Sequence, residues 1–141
     1  MSAISDEVRA FVTEQPLGVL ATYRADGSVR QTVVNHALDG ETIRISTEGK
    51  RYKAKDVARD PRASFCVVGA GLPAPCATLE GSARIITEGA GAFTTHMFEV
   101  VLGAAPDKPM TDAEAAAIDR VILEIAVDRV YGVHLPEGRE P

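Results

Sequence analysis

Residues 17–47 read "LGVLATYRADGSVRQTVVNHALDGETIRIST", and the spacing of turn signals in this stretch decides the fold class. Three runs rich in β-branched and apolar residues, 17–23, 29–38 and 42–47, are separated by "RADGS" and "DGE". Asp26-Gly27 is a strong hairpin signal, because these residue types accept the positive φ that a tight hairpin loop demands. The stretch predicts three strands in an antiparallel meander.

Outward from the meander, "SDEVRAFVTE" predicts a short amphipathic helix from about Ser5 to Glu14, with Asp6 and Glu7 in its first turn and Pro16 ending it. Downstream, Ala54, Val57 and Ala58 give a modest apolar stripe, hence a helix from about Arg51 to Arg59. "DPR" (60–62) stops it, because the residue before proline avoids the α region. Apolar strands follow at 63–68 and 76–87, the second interrupted by Gly81, which marks a bulge or a barrel corner. Residues 91–103 predict a helix directing Phe93, Met97, Val100 and Val101 to the core. "TDAE" (111–114) has capping-box spacing before an alanine-rich helix, and 121–135 reads as a long strand or a bent strand pair. The expected fold is mainly β with flanking helices: a six-stranded barrel, since closure removes exposed edges.

At 141 residues and 45% hydrophobic content, the chain is expected to form one domain over 1–141. A net charge of −5 argues against general affinity for nucleic acid. No apolar run approaches the ~20 residues a membrane helix needs, and the N-terminus has neither a basic nor an apolar leader region. A cytoplasmic protein is expected. Cys66 and Cys76 read as two buried thiols in a reducing compartment, and no His/Cys spacing predicts a metal.

Against this acidic background, six of the fifteen Lys and Arg residues fall between Lys50 and Arg62. The local order is strand, Ser46-Thr47, a turn at Gly49, then Lys50, Arg51 and Lys53 at a helix start. Helix N-termini present unpaired amide hydrogens and partial positive charge, both of which favour phosphate. Arg51 offers a planar fork and Lys53 a point charge. Cations there oppose the helix dipole, a cost that a bound anion offsets. The plain alternative is a solvated basic helix face. Tyr52 alone is interleaved as an aromatic, so nucleic acid is disfavoured.

The segments "GVLATYRADGSVRQTVVNHALDGETIRIST", "KRYKAKDVARDPRASFCVV", "ATLEGSARII" and "DRVYGVHLP" follow in an order that resembles the pyridoxamine 5′-phosphate oxidase-like split β-barrel superfamily. The closest resemblance is to the small actinobacterial branch that uses the deazaflavin coenzyme F-420. Its most specific element is "RxKAxxxxRDPRA" before a strand. The resemblance implies a split-barrel homodimer with cofactor sites at the subunit interface. It implies that Arg51 and Lys53, with Lys50 nearby, hold a phosphate, and that Ser46 and Thr47 touch the phosphate and ribityl chain. Thr32, Val33, Val34 and Asn35 would back the tricyclic ring, and His36 is the substrate-side candidate. Two departures stand out: Asp56 where members often carry Asn, and "VVNH" (33–36) where Pro-Val and an aromatic are common.

The function so implied is hydride transfer between coenzyme F-420 and a conjugated, roughly planar acceptor of enone, quinone or tetrapyrrole type. The alternatives are an FMN-dependent oxidase or reductase of the same fold, and a non-catalytic carrier of deazaflavin or haem. No residue is assigned a catalytic role, because such a cofactor performs the difficult step. Lys50, Lys55 and Arg59 could follow the polyglutamate tail that distinguishes the deazaflavin from FMN. His96, His134, Tyr52 and Tyr131 read as core or rim residues.

Overall fold

The computed structural model describes residues 3–135, so Pro136, the last residue of "DRVYGVHLP", lies outside them. Helix α1 (Asp6–Glu14) starts at Ser5, whose hydroxyl accepts the Val8 N–H at 3.2 Å. Strands β1 (Leu17–Tyr23) and β2 (Val29–Asn35) form the expected hairpin, with Leu20 opposite Thr32. β3 (Ala37–Asp39) and β4 (Thr42–Glu48) form a second hairpin, followed by helix α2 (Tyr52–Arg59). Strands β5 (Arg62–Val68) and β6 (Cys76–Ile86) come next, then helices α3 (Ala90–Leu102) and α4 (Asp112–Ala117), and the long strand β7 (Arg120–Val133).

The strands join in one antiparallel sheet of seven, ordered β2-β1-β5-β6-β7-β4-β3. This corrects two expectations. The run 29–38 is two strands, broken at His36, so the sheet has seven members instead of six. The meander also fails at its third member, because β4 pairs with β3 and β7 and not with β2. The physical reason is closure. β2 and β3 lie at opposite edges of the sheet, yet a single residue connects them, so the sheet must curl until its edges meet. The result is a half-barrel.

Inside the curl, Leu20, Ile43, Ile45, Phe65, Leu79, Leu123 and Ile125 are fully buried, and Val8, Phe11 and Val12 of α1 close one end. Burying each such side chain contributes about 1.5–3 kcal/mol. A smaller cluster of Phe93, Met97, Ala115 and Ile122 fastens α3 and α4 to the sheet. Gly81 sits at a register shift between β6 and β7, where a Cβ would collide with the Ala126 carbonyl. The bulge expected there is present.

Two packing expectations are corrected. Val100 and Val101 are half-exposed, because the face of α3 that meets the sheet is filled by Phe93, Thr94 and Met97. Cys66 and Cys76 are free and only half-buried. The register puts both on the convex face of the sheet, with exposed Leu17, Val33, Val68, Tyr131 and Val133 around them. Burial, and then the neighbouring Cys66, pushes the Cys76 thiol pKa up. Among the described residues no helix is long and apolar enough to cross a membrane.

Candidate functional site

Charge and curvature converge where β2, β4, α2, α3 and the start of β7 meet. A cavity of about 390 Å³ opens there, lined by Val33, Val34 and Asn35 of β2, Ser46 of β4, Lys53 of α2 and Arg120 of β7. Met97, Phe98, Val101 and Leu102 of α3 form its remaining wall. The cavity is therefore two-sided in chemistry. Cations and a hydroxyl stand on one side, and an apolar helix face on the other.

The expected site residues divide accordingly. Val33, Val34, Asn35, Ser46 and Lys53 come together around the cavity, although they are drawn from three elements. Ser46 Oγ lies 3.5 Å from Thr94 Oγ1, which points it towards α3. Lys50 and Arg51 stand outside as largely exposed side chains, bridged to Glu48 at 3.2 and 3.3 Å. Those contacts, the Lys50 hydrogen bond first, hold the Glu48 carboxyl below the usual range. Thr32 is half-buried on β2 and does not line the cavity. Thr47 is buried towards the barrel interior, because side chains alternate along a strand and Ser46 takes the cavity face.

His36 departs furthest from expectation. It is 7% exposed, Nε2 is 2.9 Å from the Val12 carbonyl, and its ring meets Phe65 edge-on. It belongs to the packing between α1 and the sheet, away from the cavity. Nδ1 is buried without a hydrogen-bond partner, and burial lowers the ring's pKa below 6.5.

Lys53 is half-buried, and its pKa is lowered, first by desolvation and then by the charges of Arg51 and Arg120. The amides of Tyr52 and Lys53, in the first turn of α2, have no partner among the described residues. The Gly49 corner itself is less open. Asp119 Oδ2 accepts the Lys50 N–H at 2.8 Å, so a carboxylate of the chain already occupies that donor.

α2 is held in place by Asp56, buried on its inner face. Asp56 accepts from Thr22 Oγ1 at 2.9 Å, Arg30 Nε at 2.7 Å and Arg59 at 3.2 Å. Burial is the strongest single influence on this carboxyl and opposes ionisation. The three hydrogen bonds together outweigh it and keep the pKa below 3.8. Beside this cluster a second cavity, of about 420 Å³, is lined by the cations Arg24, Arg30, Lys55 and Arg59, by Tyr52 and by the carboxylates Asp26 and Asp56. Arg30 stacks over the Tyr52 ring at 4.7 Å.

Residues 4–134 match the family model of pyridoxamine 5′-phosphate oxidase. The chain belongs to this family. Solved structures with the same fold include the conserved hypothetical protein Rv2991 from Mycobacterium tuberculosis, 26% identical, with a TM-score of 0.78 over 92% of this chain and 84% of that one. An F420 reductase is 24% identical, with a TM-score of 0.70 over 86% of this chain and 94% of that one. A heme binding protein from Mycobacterium smegmatis is 23% identical, with a TM-score of 0.66 over all of this chain and 57% of that one. The fold seen here is thus shared with proteins whose names refer to different ligands.

Sequence reading missed Arg120 and the α3 wall. Nothing marks Arg120 in the sequence, since it is a lone arginine before an apolar strand. The wall did carry a signal. "FTTHMFEVVL" (93–102) holds more apolar residues than one helix face can bury, so a second apolar surface had to remain.

Proposed function

We propose that this chain is an oxidoreductase that binds the deazaflavin coenzyme F-420 in the cavity between β2, α2 and α3, and reduces a conjugated, roughly planar organic acceptor. The observation that carries the reading is the two-sided cavity, with unneutralised cations on one side and an apolar wall on the other. That combination suits a flat ring attached to a phosphate. Membership of the family and the likeness to an F420 reductase support it.

Lys53, the free amides of α2 and Ser46 would hold the phosphate end, with Arg51 at the rim. Val33, Val34 and Asn35 would back the ring. Around the second cavity Lys55 and Arg24 are free of ion pairs among the described residues and suit a chain of carboxylates, whereas Arg30 and Arg59 there are already paired with Asp56. Lys50 stands apart from that group, paired with Glu48. Exposed contacts of this kind contribute about 0–1 kcal/mol each, so several must act together. When bound, the deazaflavin supplies the hydride chemistry. Phe98, Val101 and Leu102, which are exposed in the free chain, would be covered by a flat apolar acceptor and so favour it, while the cations would fix the far end and thereby the orientation. We infer further that two copies associate through the convex sheet face, whose exposed apolar residues reach Val33 at the cavity mouth.

An FMN-dependent enzyme of the same fold remains the second reading, because FMN shares the ring, ribityl chain and phosphate. A haem carrier is less well supported, since none of the residues lining the cavity is a histidine. The test is a fluorescence titration with F-420 and with FMN, followed by an acceptor screen using whichever binds. Replacing Arg51 and Lys53 together by alanine is expected to raise Kd tenfold or more, chiefly through Lys53, whose charge-assisted contact contributes about 1.5–3 kcal/mol. An unchanged Kd would remove the phosphate assignment.

A further inference from the structure

Glu48 and Arg120 are opposite one another in the β4–β7 register. They would be natural partners, yet the Glu48 carboxylate is engaged by Lys50 and Arg51 instead. Arg120 is left with no hydrogen bond or ion pair among the described residues, and so is Lys53. Both line the same cavity. Desolvation first, then the charge of Arg51 and then that of Arg120, lower the pKa of Lys53.

The residue before Arg120 explains how the two cations are kept together. Asp119 adopts a left-handed φ of 59°. Its carbonyl accepts the Gly49 N–H at 2.9 Å and its carboxylate the Lys50 N–H at 2.8 Å. The start of β7 is thereby clamped to the corner between β4 and α2, which fixes the backbone from which Arg120 projects relative to that of Lys53. Glu48 pulls the Lys53 pKa partly back up, but it is ion-paired with Lys50 and Arg51 and with neither cavity cation, so an anion entering between Lys53 and Arg120 is favourable.

We propose that Arg120 and Lys53 form the anion-binding pair of the cavity, with Arg51 an outer residue held by Glu48. The planar fork of Arg120 takes two oxygens of one group and Lys53 supplies a point charge, a pairing suited to a phosphomonoester or a carboxylate. The proposal rests on the cofactor reading of this cavity and sharpens it, exchanging Arg51 for a residue that the sequence places 69 positions further along.

Arg120→Gln is expected to weaken binding of F-420 or FMN about tenfold or more, and Arg51→Gln less than about threefold. A Kd unchanged by Arg120→Gln would overturn the proposal. A second measurement does not depend on either cofactor: the Lys53 Cε resonance, followed by NMR as inorganic phosphate or acetate is added. A response in the wild type that Arg120→Gln abolishes and Arg120→Lys partly restores supports the pair. Response to phosphate alone identifies a phosphomonoester site, and an equal response to acetate a carboxylate site. No response to either anion, or an equal response in Arg120→Gln, would overturn it. If neither cofactor binds the wild type but the phosphate response is present, the cofactor reading falls and the anion pair stands.

Discussion

A single histidine shows how a residue can carry a function-like signature for a structural reason. His36 sits at the break between β2 and β3, where a substrate contact was expected, but its ring is turned into the core against Val12 and Phe65. Because burial lowers its pKa below 6.5, the unfolded chain binds a proton more readily than the folded one as pH falls. Stability should therefore be full above pH 6.5 and decline as pH falls from there towards the lowered pKa. Urea unfolding between pH 7.5 and 5 checks this. His36→Phe should flatten the pH dependence in that window even if it changes the absolute stability. An unchanged slope would show that the ring is protonated or solvated in the native state. The lowered carboxyl pKa of Asp56 keeps its own titration below this range.

At the scale of elements, α2 is the part that must be positioned, since it carries Lys53. The sequence marks its ends well, with a turn at Gly49 and a stop at Asp60-Pro61. Its orientation is a tertiary matter, decided by Asp56 reaching Thr22 on β1 and Arg30 on β2. Removing a buried carboxylate leaves its cationic partners without compensation, so Asp56→Ala should cost about 3 kcal/mol in chemical denaturation. Thr22→Val, which removes one neutral partner, should cost only about 1 kcal/mol. Equal costs would mean that Asp56 acts through packing and not through charge. The other helices show where local signals suffice. Ser5 caps α1, and Thr111 and Glu114 form on α4 the capping box that the spacing of "TDAE" predicts. Asp112 then reaches back to the amides of Gly89 and Gly91 at the start of α3, a contact no local pattern announces.

On the scale of the whole molecule, the convex face of the sheet is what the single chain leaves unfinished. The register sets Leu17, Val19, Val68, Tyr131 and Val133 side by side on it, with Arg62, Glu80 and Arg129 at one margin. The homodimer proposed above would cover this face. Sedimentation should then give twice the 14.9 kDa chain mass at micromolar concentration, and Val68→Glu with Tyr131→Glu should give the monomer. A wild-type monomer would remove the shared-site arrangement. Hairpin turns, the capping box of α4 and the basic helix start were legible in the sequence, because each depends on neighbours a few residues apart. Curling of the sheet, burial of His36 and Thr47, and the meeting of Lys53 with Arg120 were not. Those depend on which strands lie side by side, and pairing over long separations is settled by closure of the barrel around one core. The sequence alone determined a β-rich chain with a cationic helix start. Tertiary structure decided which of those cations face a cavity, because strand order, not chain order, brings β7 beside β4.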